Sequence, residues 1–191
     1  MGAHPSGLGN LAGTPSVWDL DERGTVDRQK RFEALFDAYA ADVHRYLRRR
    51  VANPADVDDL VADVFLVAWR KINEIPHDLE LPWLYRTAWM ELANQRRKVV
   101  PFPAGAAADL ESSAPAEADP ADRVIEDAEV AAAWKQLGPK EREILRLTAW
   151  EGLTGEALAR AVGMSTGAAA SALSRARSHF AALLLQEAST P

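Results

Sequence analysis

Cysteine is absent from this sequence, which excludes disulfides, thiol catalysis and cysteine-based zinc sites. No apolar run approaches the roughly 20 residues that span a bilayer. The N-terminus lacks the basic and apolar segments of a secretory signal, so neither membrane insertion nor secretion is predicted. Aromatic residues are only 7 % of the chain, and alanine supplies much of its 48 % apolar content. This composition favours helices over sheets, and the absence of cysteine fits a protein of the reducing cytoplasm.

Motifs of catalysis and metal binding are also missing. The four histidines, His4, His44, His77 and His179, are scattered along the chain. There is no Ser/His/Asp spacing, no phosphate-binding glycine loop and no cluster of metal-ligand residues. We therefore expect no enzymatic activity, no cofactor and no metal site.

The net charge of −6 is distributed unevenly. Residues 99–139 carry two basic and eight acidic groups, whereas residues 30–98 and 140–191 are each close to neutral. The two outer segments contain local basic clusters, and such clusters attract a polyanion more effectively than the overall charge suggests. The acidic total therefore does not exclude a nucleic-acid partner.

Apolar residues recur at steps of three and four in two separate stretches, which predicts helices. Asn53 is the expected N-cap of the second helix, with Pro54 in its first turn. A loop is expected at 73–82. The predicted helices cover about 28–51, 56–72, 83–98, 123–137, 140–152, 154–162 and 165–186.

The sequence between the two helical stretches is rich in proline, alanine and acidic residues and has no period, which is typical of a linker. The fold class predicted is therefore all-α, with two small helical domains joined by a flexible acidic linker. The expected divisions are a flexible tail at 1–27, a first domain at 28–98, the linker at 99–122 and a second domain at 123–188.

The segment DVDDLVADVFLVAWRK, residues 56–71, predicts a helix with two distinct faces. At about 100° per residue, one face is a core stripe of Leu60, Val61, Val64, Phe65 and Ala68. The opposite face mixes acidic with apolar side chains, which suits docking onto a basic partner. A solvated face with one tryptophan is the alternative. The members of this outer face are Asp59, Ala62, Asp63, Leu66, Trp69 and Arg70.

Two further patterns point to nucleic acid. In WLYRTAWMELANQRRK, residues 83–98, aromatic and basic residues are interleaved, so rings could stack on unpaired bases while cations bind phosphates. Core tryptophans and a basic helix end are the alternative. Residues 154–186 predict a short helix, a turn at Gly163-Met164 and a longer helix, which is a helix-turn-helix layout. An ordinary helical hairpin is the alternative there.

Together these segments resemble the extracytoplasmic-function (ECF) sigma factors of the sigma-70 family. FEALFDAYAADVHRYL, DVDDLVADVFLVAWR and WLYRTA resemble sigma region 2, and LGPKEREILRL and EGLTGEALARAVGMSTGAAASALSRAR resemble sigma region 4. The resemblance implies a promoter-specificity subunit whose partners are core RNA polymerase, at the clamp of the largest subunit and the flap, and promoter DNA. An anti-sigma factor is a further partner in the family, and the sequence does not specify one for this chain.

The resemblance also implies roles for individual residues. Binding of core polymerase would fall to Asp59, Ala62, Asp63, Leu66 and Trp69. Binding of the −10 element would fall to Trp83, Arg86, Asn94, Gln95, Arg97 and Lys98. Binding of the −35 element would fall to Thr154, Ser165, Thr166, Ser171, Ser174, Arg175 and Arg177.

The recognition helix departs from the family pattern, because Ala170 and Ala172 stand where arginine is usual. Alanine offers DNA only a methyl group, whereas arginine binds guanine and phosphate. Weaker −35 recognition is the resulting expectation. It keeps open a second interpretation, in which the chain is a polymerase-binding regulator that acts mainly through protein contacts.

Overall fold

The structure, a computed structural model, describes residues 17–99 and 127–187. The first helix group comprises α1 (Val17–Arg48), α2 (Asp56–Arg70) and α3 (Glu80–Val99), with two 3₁₀ turns (Ile72–Glu74 and His77–Leu79) between α2 and α3. The second helix group comprises α4 (Ala128–Gln136), α5 (Pro139–Ala149), α6 (Gly155–Val162) and α7 (Thr166–Glu187). These residues contain no strand, which confirms the predicted all-α fold.

Several boundaries differ from the sequence expectation. Helix α1 begins at Val17, so residues 17–27 of the expected tail are helical, and Gly24 within them obscures the helical signal. Helix α2 begins at Asp56 as predicted, but its N-cap is Ala55 and not Asn53, and Pro54 lies ahead of its first turn. The Asn53 side chain instead accepts the N–H of Ala55 at 3.2 Å and closes a turn before the helix. The 3₁₀ turns and an earlier start of α3 shorten the expected loop at 73–82. Residues 1–16 of the tail and 100–122 of the linker lie outside the described residues.

The first helix group packs around the apolar stripe predicted for α2. Leu60, Val64, Phe65 and Ala68 are buried, and Val61 is partly buried beside them. Helices α1 and α3 supply the other walls of this core, with Val43, Tyr46, Leu47, Leu84, Ala88 and Leu92. The side of α2 that faces solvent is therefore fixed by the burial of its opposite side.

The second helix group has a core of its own between α4 and α7. Trp134 and Leu137 pack there against Leu183, and the ring of Phe180 meets Trp134 edge-on at 5.7 Å between centroids. Helix α4 is capped by Asp127, whose carboxylate accepts the N–H groups of residues 129 and 130. This packing anchors the far end of α7, while its first turns pack against α6.

The two helix groups are not separate bodies. One continuous apolar cluster contains residues of α1, α2 and α3 together with Ile144, Leu147, Leu158 and Ala161 of the second group. Helix α3 packs along α6, which makes this the main helix contact between the groups. The two domains predicted from the sequence therefore also share a buried interface, which the sequence analysis did not predict, because apolar residues of α5 and α6 pack against the first group.

In the part of the chain that the structure describes, no helix is long and apolar enough to cross a membrane. The same residues contain no group of three or more histidine, aspartate or glutamate side chains that could hold a metal ion.

Candidate functional site

The outer face of α2 is open to solvent. Asp59, Ala62 and Asp63 are exposed, and Leu66 keeps 46 % of its surface accessible. Among the described residues neither Asp59 nor Asp63 has an ion-pair partner, whereas the neighbouring Asp58 lies 3.5 Å from the ring of His44. The face thus offers two uncompensated carboxylates one helical turn apart beside an apolar side chain.

Trp69 lies apart from this face. Its ring meets Phe32 of α1 edge-on at 5.3 Å, and the guanidinium of Arg28 lies 5.3 Å from the ring centroid. Arg28 also donates a hydrogen bond to the Trp69 carbonyl at 3.4 Å. Trp69 therefore braces α2 against α1, and only its remaining exposed edge belongs to the surface assigned by sequence.

The start of α3 brings together a second set of assigned residues. Trp83 and Arg86 are half-buried one turn apart, and Tyr85 between them is buried and stacks on Tyr46 at 4.8 Å. The aromatic residues of this segment therefore divide between core and surface. Arg86 lies beside the α6–α7 turn, where a Cβ at Gly163 would overlap its guanidinium.

The end of α3 holds the polar residues of the same assignment. Arg97 is exposed and donates a hydrogen bond to the Asn94 side chain, which in turn donates to Glu91 at 3.3 Å. Gln95 is half-exposed, and the side chain of Lys98 lies outside the described part. Asn94, Gln95 and Arg97 therefore form one continuous polar stretch in the last turns of α3.

Helices α6 and α7 form the predicted helix-turn-helix. Gly163 ends α6 at φ +70°, and the N–H of Met164 closes the turn on the carbonyl of Ala159 at 3.0 Å. Glycine adopts this left-handed backbone without the steric cost of a Cβ. Ser165 then caps α7 by accepting the N–H of Ala168 at 3.3 Å. Helices α6 and α7 pack against each other, and Leu158 of α6 and Ala169 of α7 are buried.

Most of the residues assigned to the −35 element lie on the exposed side of α7. All seven assigned residues are exposed. Five lie within α7, whereas Thr154 comes just before α6 and Ser165 just before α7. The two alanines that replace the usual arginine differ in position. Ala170 is exposed, whereas Ala172 is half-buried and packs on the apolar cluster.

A buried polar cluster that the sequence analysis missed joins the two helix groups. Tyr46 donates a hydrogen bond to Glu143 at 2.8 Å, and Arg50 Nε donates to the second oxygen of the same carboxylate at 2.9 Å. Arg50 also reaches Glu151 at 3.4 Å and covers the Tyr46 ring at 3.6 Å. These four residues, Tyr46, Arg50, Glu143 and Glu151, are called the Arg50 cluster below.

The electrostatics of the Arg50 cluster keep Arg50 charged and Tyr46 protonated. Burial on its own lowers the pKa of Arg50, but Glu143, Tyr46 and Glu151 together outweigh it, so the pKa is raised and the guanidinium stays charged. Burial and the adjacent Glu143 carboxylate raise the pKa of Tyr46 well above its ordinary value, so the phenol remains a donor. The available sequence signal was Glu143 itself, a charge on the apolar stripe of α5 one turn before Leu147.

Comparisons with known proteins match both helix groups to one family. The sigma-70 region 2 family matches residues 35–99, and the sigma-70 region 4 family matches residues 128–180. RNA polymerase sigma factor NccH of Alcaligenes xylosoxydans xylosoxydans is 31 % identical over 89 % of this chain and 96 % of its own. RNA polymerase sigma factor CnrH of Cupriavidus metallidurans is 33 % identical over 86 % and 92 %, respectively.

Solved structures show the same fold. CnrH in complex with the cytosolic domain of CnrY aligns with a TM-score of 0.52 at 25 % identity, covering 85 % of this chain and 91 % of that one. Sigma factor RpoE in complex with the anti-sigma factor NepR, from Bartonella quintana, aligns with a TM-score of 0.53 at 21 % identity, covering 81 % and 97 %.

These matches support promoter-specific initiation and do not favour the interpretation as a regulator that acts mainly through protein contacts. Family membership also makes the protein a DNA-binding initiation factor rather than an enzyme. The chain belongs to the extracytoplasmic-function sigma factors of the sigma-70 family, and it is an alternative sigma factor that directs promoter-specific transcription.

Proposed function

We propose that this sigma factor binds core RNA polymerase through the outer face of α2, the −10 element through α3 and the −35 element through α6 and α7. The observation that carries the proposal is the outer face of α2, where Asp59, Ala62, Asp63 and Leu66 are exposed together. The opposite side of the same helix packs in the core through Leu60, Val64, Phe65 and Ala68. Transcription initiation by this protein would take place in the cytoplasm, where core polymerase and promoter DNA are present.

The chemistry of the α2 face suits a basic, helical partner surface such as the polymerase clamp. Asp59 and Asp63 are one turn apart and lack intramolecular counter-ions among the described residues, so their charge is available to a partner. Leu66, with 46 % of its surface exposed, adds apolar area that docking can bury. The carboxylates select the partner by charge, and Leu66 contributes affinity.

The start of α3 suits an unpaired base of the −10 element. Trp83 and Arg86 lie one turn apart on one side of the helix and both are partly accessible, so an aromatic ring and a cation lie side by side. Stacking a base on an aromatic ring contributes about 1–3 kcal/mol, which offsets part of the few kcal/mol needed to extrude a base. Asn94, Gln95 and Arg97 continue this surface toward the duplex.

The exposed side of α7 suits the major groove. Its donors are mostly hydroxyl groups, with Arg175 and Arg177 as the exposed cations. Hydroxyl groups bind phosphate or base edges without the bidentate contact that arginine makes to guanine. We therefore propose that α7 recognises the −35 element with few neutralised phosphates.

An anti-sigma factor is a further proposed partner. The RpoE structure contains the anti-sigma factor NepR. By that analogy, a regulator would cover the polymerase- and DNA-binding surfaces of this chain. Co-purification of the chain from its native host would reveal such a regulator as a stoichiometric companion.

Capture of purified core polymerase tests the α2 assignment. The variant Asp59→Lys/Asp63→Lys should lose capture, because like charges then face a basic surface. The matched control is Glu33→Lys/Asp37→Lys, which makes the same charge change at the same spacing on the exposed side of α1. Equal capture by the two variants would rule out the α2 face as the docking surface.

A further inference from the structure

An open cleft of about 420 Å³ lies where the start of α1 meets the 3₁₀ turn that follows α2. None of its lining side chains is apolar, whereas pockets for small organic ligands are lined mostly by apolar and aromatic groups. The cleft therefore suits a charged, hydrated group. The lining residues are Gly24, Thr25, Asp27, Arg28, Arg31 and Asn73.

Both arginines of the cleft are held in place by backbone carbonyls. Arg28 donates a hydrogen bond to the Trp69 carbonyl at 3.4 Å, and Arg31 donates one to the Ile75 carbonyl. In the described part of the chain neither guanidinium has an ion-pair partner, and the Nε of each is buried without a hydrogen-bond partner. A guanidinium has several N–H donors, so each arginine is fixed while donors remain unused.

The charge of the cleft is positive. Two guanidiniums outweigh the single carboxylate of Asp27, which is exposed and forms no ion pair with either arginine among the described residues. Open space surrounds the position that a Cβ at Gly24 would take, so no side chain fills the cleft there. Arginine binds phosphate oxygens through charge-assisted hydrogen bonds. A phosphate group is therefore the ligand that the cleft matches.

The position of the cleft follows from the antiparallel packing of α1 on α3. Near the end of α3, Arg96 donates a hydrogen bond to the carbonyl of Arg50 at 3.3 Å. At the start of α3, the side chain of Glu80 interacts with Tyr39 of α1. Arg31 lies eight positions before Tyr39, which is about 12 Å along a helix that rises about 1.5 Å per residue. The cleft therefore lies beyond the start of α3, on the opposite side from its last turns.

A DNA strand that follows the proposed −10 surface reaches this cleft. In that proposal the last turns of α3 face the duplex, and Trp83 at its start holds an unpaired base. A strand that continues past Trp83 is the single strand on the downstream side of the −10 element. At about 3.4 Å per stacked nucleotide, the distance to the cleft corresponds to about two to four nucleotides.

We propose that the cleft binds a phosphate group of this single strand, with Arg28 and Arg31 as the donors, about two to four nucleotides downstream of the unpaired base. This inference rests on the proposed function, since it takes α3 as the helix that binds the −10 element. The contact fixes the path of the strand and reads no sequence, as is general for phosphate contacts.

Binding of forked DNA by the holoenzyme, formed from this chain and core polymerase, tests the cleft. The probes carry a promoter defined by mapped transcript starts and differ only in the length of single-stranded tail after the −10 element. For the parent, affinity should rise about ten- to a hundred-fold once the tail reaches the cleft, because a charge-assisted contact is added. The quantity compared is this ratio of long-tail to short-tail affinity, so a general change in binding cancels.

Removal of both cations should abolish the rise. Arg28→Gln/Arg31→Gln should bind long and short tails equally and should lose about 0.7 from the salt slope of the long probe, the value for one single-strand phosphate. The matched control is Lys30→Gln/Arg48→Gln, which removes two exposed cations of α1 that do not line the cleft. This control should keep the rise.

Neutral methylphosphonate linkages identify the bound phosphate. Placed one at a time along the tail, a single linkage should remove most of the rise for the parent. The same linkage should have no effect on Arg28→Gln/Arg31→Gln, because that variant no longer contacts it. A rise that depends instead on the identity of a base, with no sensitive linkage, would overturn the assignment to phosphate.

A milder variant tests the cleft without disturbing the hydrogen bonds of the two arginines. Asn73→Asp places a carboxylate at the cleft with almost no change in shape, so it serves even if the double variant folds poorly. It should reduce the rise several-fold by repulsion of the phosphate. Gln29→Glu makes the same charge change at an exposed position of α1 outside the cleft and should keep the rise.

Two further results would overturn the inference: a parent holoenzyme without a tail-dependent rise, or an Arg28→Gln/Arg31→Gln holoenzyme that keeps it. Inorganic phosphate that binds the free parent chain at about micromolar concentration, and not the double variant, would assign the cleft to a free phosphate ligand instead of DNA. Failure of the proposed function is distinguishable, because the parent would then not bind the short-tail probe at all.

Discussion

The two carboxylate pairs of this protein serve opposite purposes. Asp59 and Asp63 on α2 are exposed and uncompensated among the described residues, whereas Glu143 and Glu151 are buried against Arg50. The first pair is available to another molecule, and the second is used within the chain. The role of a carboxylate therefore depends on the surface that faces it. A helical wheel shows which side of a helix carries the carboxylate but not what that side faces.

Charge reversal should separate the two pairs most clearly. Glu143→Lys places a third positive charge beside Arg49 and Arg50, so it should lower the free energy of unfolding of the chain by about 3–5 kcal/mol. Asp59→Lys should change it by no more than about 0.5 kcal/mol, because the site is exposed. Urea unfolding of both variants measures this difference, and equal effects would remove the distinction between the pairs.

Neutralisation should sharpen the comparison on the side of binding. Asp59→Asn/Asp63→Asn should weaken polymerase binding by about ten-fold and flatten its dependence on salt, since long-range attraction to a basic surface is lost. Titrations at several salt concentrations check this expectation. The control Glu33→Gln/Asp37→Asn should keep the parent salt dependence, and loss of that dependence in both variants would point to net charge alone.

Ala170 and Ala172 of α7, which stand where arginine is usual in the family, extend the comparison to the proposed DNA-binding helix. Ala170→Arg should tighten duplex binding and steepen the salt slope by about 0.9, the value for one added phosphate contact, because position 170 is exposed. Ala172→Arg should instead destabilise the fold, since residue 172 packs on the apolar cluster. Fluorescence anisotropy over a salt series, with thermal unfolding in parallel, distinguishes the two outcomes.

The smallest effect is expected at Glu141. Partial burial raises the pKa of this carboxyl, but the N–H of Gly138 and the ring of His179 at 2.9 Å outweigh it and leave the pKa below its ordinary value. A lowered folded-state pKa contributes stability above the unfolded pKa, and that stability is lost as the pH falls through the folded value. Glu141→Gln should therefore cost under about 1 kcal/mol near neutral pH. Melting curves of the two proteins should converge in acid, and a constant gap would contradict this assignment.

Much of the fold follows from local pattern. The α2 core stripe and its exposed face, the turn at Gly163 and the caps at Asp127 and Ser165 all depend on residues a few positions apart. Helical periodicity and capping chemistry are sufficient for such features. The placement of Leu60, Val64 and Ala68 in the core is confirmed for this reason.

The interface between the helix groups could not be predicted in the same way. The hydrogen bond from Tyr46 to Glu143 joins residues 97 positions apart, and the one from Arg50 joins residues 93 apart. Nothing local distinguishes Arg50 from Arg48 and Arg49, which together read as a basic helix end. Trp69 illustrates the same limit, because its position against Phe32 depends on how α1 crosses α2.

Mapping of transcript starts in vitro tests the central claim most directly. Purified chain and core polymerase would be supplied with genomic DNA fragments, and the 5′ ends of the transcripts would be sequenced. The account predicts discrete starts that depend on the chain and share sequence elements near −10 and −35, and predicts that Asp59→Lys/Asp63→Lys abolishes them. Starts that are identical with and without the chain would contradict it.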